Sequence, residues 1–352
     1  MARPELRSSF GARLERVFDG VPGLASHLVF TSLLTRAPLL ARVAAELARY
    51  RRGRVWLRGN AETAAGPVRI AHLGSPDRVT RWFLHRLGAG TVERQEAARV
   101  PGAVACDVEL CLVPLEETLA FARDGWLLLP RYVHHLQDLR EGPSSFEVRV
   151  ARRARAQGLT LGMTRTAREL DDFQRRLYDP MLARRHGEHA LRTGRALLRL
   201  GQLRGGLCVV RSNGRAVAGA VAAPNARDRA ELEIWALGVA EDAPAGAGFA
   251  AVLGWVSWAR EHGLERVDHV ASLPLYSDGL TRQKLRWGTT LHEPVATNEV
   301  VAMRVVGAGA AVKSWLSGHV FAARSEKGLV PVSVTEPGEL SRAARSLASG
   351  SG

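Results

Sequence analysis

The sequence predicts a mixed α/β fold, in which helices alternate with mainly antiparallel strands in two successive cycles. Segments with apolar residues every three or four positions, which is typical of helices, alternate with short runs of apolar and β-branched residues, which are typical of strands. Asn213-Gly214 separates two of these runs and is a typical two-residue hairpin turn. No internal repeat of about 20–50 residues is visible, which argues against a solenoid.

The first cycle follows a helical stretch. Residues 1–50 carry apolar side chains at helical spacing, interrupted at Pro22-Gly23 and at Pro38. Turn and breaker residues then bound short elements. These are predicted as strands over 55–57 and 68–73, a helix over 77–87, a strand over 104–114, a helix over 115–122 and a strand over 126–129.

The second cycle begins near residue 146. Its predicted elements are strands over 146–150 and 159–163, helices over 166–185 and 191–200, a hairpin over 207–223, a strand over 230–239, a helix over 246–262, a strand over 267–271, a helix over 280–287 and a closing strand over 299–306. From about residue 325 the chain is rich in Ser, Gly and Pro, which is typical of disorder. The predicted organisation is therefore an N-terminal domain over 1–145, a C-terminal domain over 146–322 and a flexible tail over 323–352.

The charge of the chain is large and uneven. Its 352 residues include 49 Lys and Arg against 35 Asp and Glu, a net charge of +14. Only Lys284, Lys313 and Lys327 are lysines, so part of this excess reflects an arginine-rich composition. Residues 131–215 hold 18 arginines against 8 acids, which is +10 of the total. This block predicts an anionic partner such as nucleic acid, phosphate or a membrane surface, or else a solvated face.

Cysteine usage and hydropathy indicate the compartment. Three cysteines without a CxxC pair exclude a disulfide scaffold and are typical of a reducing environment. No apolar run approaches the roughly 20 residues that span a bilayer, and the N-terminus has no apolar core of a signal peptide. The sequence therefore predicts a soluble cytoplasmic protein, for which peripheral contact with anionic lipid stays open.

A glycine-containing loop precedes the predicted helix over 246–262. Gly246 and Gly248 allow backbone N–H groups to approach an anion closely, and the start of a helix favours negative charge. This pattern suits a pyrophosphate. Its alternative interpretation is a flexible loop before an ordinary helix.

A second motif spans 274–288 and contains Lys284. In a chain that uses arginine so heavily, this lysine indicates a role that a planar guanidinium does not fill. Asp278 is placed to cap a helix that begins near Leu280. The alternative is a capped helix with a solvated lysine.

A third motif spans 178–187. Tyr178, Arg185 and His186 lie close together in the sequence and could line a pocket. The alternative is a short helical turn bounded by Pro180 and Gly187.

These motifs carry a family resemblance. The segment Asp278-Gly-Leu-Thr-Arg-Gln-Lys-Leu-Arg-Trp-Gly288 resembles the DGLxRxKxxWG element of Fem-type proteins in the GNAT superfamily. Tyr178-x-Pro-Met-x-x-x-Arg-His-Gly187 resembles the element that follows the first helix of the same domain, and 125–131 with 149–158 resembles the domain junction. Together these segments cover about residues 105–305 in the family's order.

The resemblance implies a tandem GNAT-like architecture and an enzyme that transfers an acyl group to an amine. The implied donor is acetyl-CoA or another acyl-CoA, favoured by the glycine loop, or an aminoacyl-tRNA, favoured by the basic block 131–215. The implied acceptor is an amine of a peptide, a cell-envelope precursor or a small metabolite. Because Gln283 and the loop 244–248 depart from the family pattern, a non-catalytic binding module on the same fold is the alternative.

The resemblance also implies roles for particular residues. Stabilisation of the transition-state oxyanion falls to Lys284 or to a bulged backbone N–H near 237–239, and the amine proton passes to Asp278, Tyr276 or the substrate itself. No metal ligands are predicted. The residues expected to bind the donor are Leu237, Gly238, Val239, Gly246 and Gly248, and those expected to bind substrate are Tyr178, Arg185, His186, Arg282 and Trp287.

Overall fold

The computed structural model describes residues 55–74, 77–95, 97, 100–187, 190, 192–226, 228–293 and 299–349. The predicted helices of residues 1–50 lie outside these ranges. In chain order the elements are β1 (Val55–Thr63), β2 (Gly66–Gly74), α1 (Arg78–Arg86), β3 (Glu93–Gln95), β4 (Val108–Pro114), α2 (Thr118–Arg123), β5 (Leu127–Pro130), β6 (His134–Asp138), α3 (Ser145–Ala156), β7 (Thr160–Thr164), α4 (Ala167–Phe173), α5 (Asp179–His186), α6 (Arg195–Arg204), β8 (Gly206–Ser212), β9 (Arg215–Pro224), β10 (Glu231–Val239), α7 (Ala247–Glu261), β11 (Arg266–Asp268), α8 (Gly279–Leu285), β12 (Thr290–His292), β13 (Glu299–Val305), α9 (Ala310–Ser317), β14 (Val320–Ser325), β15 (Gly328–Ser333) and α10 (Pro337–Ala348).

The first sheet has six strands in the order β3-β1-β2-β4-β13-β5. Its pairs are antiparallel except β2 with β4. All of β4 is buried, as its mainly apolar sequence predicts for a central strand, and its one charged residue, Glu109, pairs with Arg304. Helices α1 and α9 and strands β14 and β15 contribute side chains to the core over this sheet.

The second sheet has seven strands in the order β12-β6-β11-β10-β9-β8-β7, and only β10 and β11 run parallel. Helices α3 and α7 bury one face, and α4, α5 and α6 bury the other. The hairpin between β8 and β9 turns at Asn213 and Gly214, whose φ angles of 50° and 77° are both positive, as a type I′ turn requires. The predicted mixed fold of mainly antiparallel sheets flanked by helices is confirmed.

Two strands pair in the sheet that is built mainly from the other half of the chain. The strand predicted to close the C-terminal domain, now β13, pairs with β4 and β5 of the first sheet. In return β6, which precedes residue 145, pairs with β11 and β12 of the second sheet. A single boundary at residue 145 therefore does not divide the two sheets. The sequence pattern predicts β13 but not β6, and strand pairing is set by tertiary contacts that the pattern does not contain.

Two local predictions are wrong. Residues 146–150, predicted as a strand, begin α3, because Ser144 and Glu147 form a reciprocal capping box. Residues 328–348, predicted as part of a flexible tail, form β15 and α10. The capping box of Glu336 and Glu339 and the apolar positions Leu340 and Ala344 specify this helix in spite of its Ser- and Gly-rich composition. None of the helices in the described ranges has the length and apolarity needed to cross a bilayer.

The packing of α10 is testable with Leu340→Ala. Leu340 is fully buried in the core over the first sheet, so its truncation is expected to lower the free energy of unfolding by about 2–5 kcal/mol. Chemical denaturation measures this change. The matched control is Leu119→Ala in α2, since Leu119 is 51% exposed and should change stability little. Equal small effects for both variants would contradict the docked helix.

Candidate active site

The parallel pairing of β10 with β11 is short. It joins Glu231–Glu233 to Arg266–Asp268, after which β10 continues to Val239. The chain beyond Asp268 separates from β10 but stays bonded to the β6 side, through His269 to His135 and through Ser272 to Val133. The two strands therefore open into a wedge at their carboxyl ends, the position at which sheets of this kind accept ligands. We call the space beyond Glu233 and Asp268 the strand wedge.

A register shift lies beside the strand wedge. Ile234 pairs with Ala222 of β9 and Ala236 pairs with Val221, so Trp235 is an extra residue in β10. Such a bulge re-aims the backbone and can direct an N–H out of the ladder. The sequence prediction placed the bulge near 237–239. Its actual position is closer to the point where the strands separate, while Leu237, Gly238 and Val239 form the part of β10 that β11 does not cover.

Apolar side chains flank the strand wedge. Leu237 on β10, Phe249 on α7 and Val270 after β11 are all partly exposed and pack against the core under the second sheet. Trp287 lies beneath them, 2% exposed, with its ring 6.4 Å from that of Phe249. Trp287, predicted to bind substrate, is thus a core residue that supports this lining.

The start of α7 lies at the end of β10. Gly246 precedes the helix in the left-handed conformation, at φ 98°, and no side chain caps the first turn. A Cβ atom on Gly248 would lie 2.9 Å from Cγ2 of Val239, so glycine allows the helix to approach the strand. A Cβ atom on Gly246 would lie 3.4 Å from Cδ of Arg153 on α3. The helix start and a guanidinium therefore lie together, which is a favourable arrangement for an anion.

Two carboxyl groups lie side by side where the strands separate. Glu233 and Asp268 are register partners across β10 and β11. Burial raises the pKa of Glu233, and the charges of Asp268 and Glu231 raise it further, against a 3.1 Å hydrogen bond from Nε1 of Trp235. A carboxylate whose pKa is raised is a stronger base than an ordinary one, which suits it to accept a proton from a substrate.

Asp268 also holds a histidine. Its Oδ2 atom pairs with Nδ1 of His134 on β6, and its Oδ1 atom accepts from the backbone N–H of Val270 at 2.8 Å. Burial lowers the pKa of His134, but the hydrogen bond and charge of Asp268 outweigh it and leave that pKa above its ordinary value. Asp268 is 3% exposed, so it orients its neighbours rather than meeting solvent.

Lys284 does not point into solvent. Its Nζ atom donates to the carbonyl oxygens of Val270 and Ala271 at 2.7 and 2.9 Å. Val270 has φ 67°, which is unusual for a β-branched residue and shows that the loop after β11 is held against its preference. Burial lowers the pKa of Lys284 to about 7. The contacts place Lys284 as a clamp on the loop that forms one side of the strand wedge.

A buried polar network continues from this clamp. Nε2 of His135 lies 2.7 Å from Oγ of Ser272, which lies 2.9 Å from Oγ1 of Thr281 on α8. Burial and then the charge of Lys284 lower the pKa of His135 to about 2, so its ring is neutral. The network fixes β6, the loop and α8 to one another.

The remaining predicted residues lie in other surroundings. Asp278 caps α8 through bonds from the N–H groups of Leu280 and Thr281, and it pairs with Arg86 of α1. The backbone N–H of Tyr276 donates to the carbonyl of Val320, and burial raises the pKa of the Tyr276 hydroxyl. The contacts of Asp278 lie with α1 and α8, and the backbone of Tyr276 is bonded to β14.

The residues of the third motif also lie in different surroundings. Tyr178 is 4% exposed, and its hydroxyl accepts from the N–H of Thr193 at 2.8 Å, so it belongs to the core over the second sheet. Arg185 and Arg282 are exposed, and His186 is half-buried.

Three residues of the candidate site were missed from the sequence: Glu233, Asp268 and His134. Glu233 had a usable signal, because two acids in the strand that begins Glu231-Leu-Glu233 interrupt an otherwise apolar run. His134 and Asp268 had none, since only strand pairing brings them together. Among the described residues, no group of three or more His, Cys, Asp or Glu side chains is arranged to hold a metal ion.

No protein-family model and no curated protein matches this sequence. Solved structures do match. L-PGS from Bacillus licheniformis is 14% identical, with a TM-score of 0.39, 70% of this chain covered and 80% of that chain. A GCN5-related N-acetyltransferase from Kribbella flavida is 16% identical, with a TM-score of 0.29 and coverage of 75% and 93%. FemX is 11% identical, with a TM-score of 0.36 and coverage of 71% and 84%. The last two are named for the GNAT and Fem groups that the motifs resemble, and the likeness concerns the fold alone.

The clamp predicts a pH dependence of stability. The pKa of Lys284 is about 7 in the folded protein and its ordinary value is 10.5, so between these values the unfolded chain binds more protons. Stability from this group therefore rises as the pH rises from about 7 towards 10. Urea unfolding across this range should show a rise in the wild type that Lys284→Met lacks.

Lys313→Met is the matched control, because Lys313 is half-exposed on α9 and pairs with Glu336 at 2.8 Å. It should retain the wild-type pH dependence. The same pH dependence in Lys284→Met and in the wild type would contradict the buried clamp.

Proposed function

We propose that this chain is an N-acyltransferase that moves an acyl group from an acyl-CoA thioester to an amine of a peptide, cell-envelope precursor or small metabolite. The observation that carries the proposal is the strand wedge between β10 and β11. It has an uncapped helix start at one end and the Glu233 carboxyl at its base.

The donor would lie along the open edge of β10. An anion at the start of α7 would meet the first-turn N–H groups beside Gly246 and Gly248 and the guanidinium of Arg153. The narrow, uncharged arm of an acyl-CoA suits the apolar lining by Leu237 and Val270, and its amides suit a strand edge that β11 leaves unpaired. This arrangement would bring the thioester towards Trp235 and Glu233.

The chemistry needs a neutral amine and a stabilised oxyanion. Glu233, with its raised pKa, would accept the proton of the attacking amine. The bond between the acyl carbon and the CoA sulfur would then break, and CoA would leave as the thiol with that proton. The bulged N–H at Trp235 would donate to the carbonyl oxygen as negative charge develops there, a contribution of roughly 3 kcal/mol. Asp268 would hold His134 and the loop after β11 in place. Lys284, Asp278 and Tyr276 would act by positioning that loop and α8.

An aminoacyl-tRNA donor is the second candidate, and one observation favours it. The arginines of α3 are exposed, and within the described part of the chain they have no carboxylate partner; they are Arg149, Arg152, Arg153 and Arg155. By contrast, Arg140, Arg195 and Arg215 in the basic block are paired with aspartates. The α3 surface would suit the phosphates of an RNA end near the start of α7.

A binding comparison decides between the donors. We expect acetyl-CoA to raise the melting temperature in thermal-shift assays and to bind with modest salt dependence. Charged tRNA should bind weakly, if at all, at physiological salt. Steep salt dependence of tRNA binding, lost on neutralising Arg149 and Arg152, would instead select the tRNA donor.

The catalytic prediction is that Glu233→Gln lowers kcat by about 10²–10⁴-fold, because the proton acceptor is removed. The Kd of acetyl-CoA should stay near the wild-type value. In the wild type, kcat should rise with pH through the raised pKa of Glu233, and the variant should lose that limb.

The control is Glu241→Gln in the loop before α7, since Glu241 is exposed. It should retain full activity. Acyl-CoA binding without turnover in the wild type would indicate the non-catalytic binding module and contradict the proposal.

A further inference from the structure

A polar cavity of about 310 Å³ lies away from the strand wedge. We call it the polar cleft. It is formed where the end of α1, the residues before α8 and the residues after α9 meet, and it is lined by His85, Arg86, Leu275, Ser277, Asp278, Gly279, Gly318 and His319. Among the described residues that line it, Leu275 alone is large and apolar. The lining is therefore suited to a charged or strongly polar group and not to an acyl chain.

Arg86 is the fixed cation of the polar cleft. Its Nε atom donates to Oδ1 of Asp278 at 2.8 Å, and its Nη2 atom donates to the same oxygen. The other carboxylate oxygen of Asp278 caps α8. The side chain of Arg86 is 32% exposed. Its bonds to Asp278 use Nε and Nη2, and Nη1 donates to none of the described residues. Asp278 thus orients the guanidinium while leaving part of its donor fork available.

Ser277 and His319 add polar groups beside Arg86. Nδ1 of His319 lies 2.7 Å from the carbonyl of Trp315, which requires the proton on Nδ1 and leaves Nε2 for a ligand. Oγ of Ser277 accepts from the N–H of Val320 at 3.3 Å, so its own hydrogen remains to be donated. In that neutral ring Nε2 is an acceptor, and burial lowers the pKa of His319, so Nε2 becomes a charge-assisted donor only when a proton is taken up together with the anion.

The surroundings of the polar cleft carry excess positive charge. His186 lies at the end of α5. Burial is the largest cause of its lowered pKa, and the charges of Arg86, Arg185 and His85 lower that pKa further, while the charge of Asp278 raises it. The end of α5 therefore faces the same region as α1. A second anion would be attracted to this region, because one carboxylate does not balance its cations.

We propose that the polar cleft is a binding site for an anionic group, a phosphate or a carboxylate of a small ligand, held by Arg86, His319 and Ser277. The guanidinium fork oriented by Asp278 provides the planar recognition that such groups favour. This site is separate from the strand wedge, and its occupation does not depend on whether the chain transfers acyl groups.

The test uses inorganic phosphate and succinate as probes with the full-length protein. Isothermal titration and thermal shift are measured against sodium chloride of equal ionic strength. We expect at least one probe to bind, and the preference between the two identifies the phosphate or carboxylate class. Arg86→Gln and, separately, His319→Gln should weaken binding by at least fivefold.

His262→Gln is the matched control. His262 ends α7 just as His319 follows α9, with Nδ1 2.8 Å from the carbonyl of the tryptophan four residues earlier, but His262 is exposed and outside the cleft. It should bind the probe like the wild type. If Arg86→Gln fails to fold, His319→Gln and Ser277→Ala give the same reading without loss of the Asp278 pair.

Two results would overturn the site. One is a response to both probes no larger than that to chloride, and the other is undiminished binding in the cleft variants. Glu233→Gln should bind the probe normally, so a failure of acyl transfer and a failure of this site are separately visible.

Discussion

The pairing of β10 with β11 is the constraint on which the candidate site depends. It ends at Glu233 and Asp268 because the chain beyond Asp268 stays with β6 and parts from β10, along a path that includes an unfavourable backbone conformation at Val270. Lys284 stabilises that conformation by donating to two consecutive carbonyls, and Asp268 accepts from the N–H of Val270. These bonds hold the side of the strand wedge that faces β10.

The same contacts connect the site to the rest of the fold. Asp278 caps α8, which carries Lys284, and it also pairs with Arg86 of the first sheet's helix α1. Strand β6 comes from the first half of the chain but pairs in the second sheet. Strand β13 comes from the second half but pairs in the first sheet. The two halves of the chain are thus joined by strand pairing as well as by side chains. Changes at the polar cleft and in the strand wedge act on opposite ends of one short helix, α8.

Local structure followed from the sequence where a local interaction specifies it. Asn213-Gly214 predicted its hairpin, and Asp77 caps the helix predicted to begin there. Residues 146–150 alternate apolar and polar side chains as a strand does, but the capping box of Ser144 begins a helix there. The rarity of lysine singled out Lys284, but its carbonyl partners arise from a fold-dependent turn. Glu233, Asp268 and His134 meet only through the pairing of three strands, which no local pattern contains.

Hydrogen exchange measured by mass spectrometry tests the central claim most directly, because it reports where a donor lies without assuming any catalytic residue. Added acetyl-CoA should slow exchange in peptides covering 234–250 and 268–273, the two sides of the strand wedge and the start of α7. Exchange in the hairpin of β14 and β15 should not change. Protection confined to other segments, or acetyl-CoA binding with no protection across 234–250, would contradict the account.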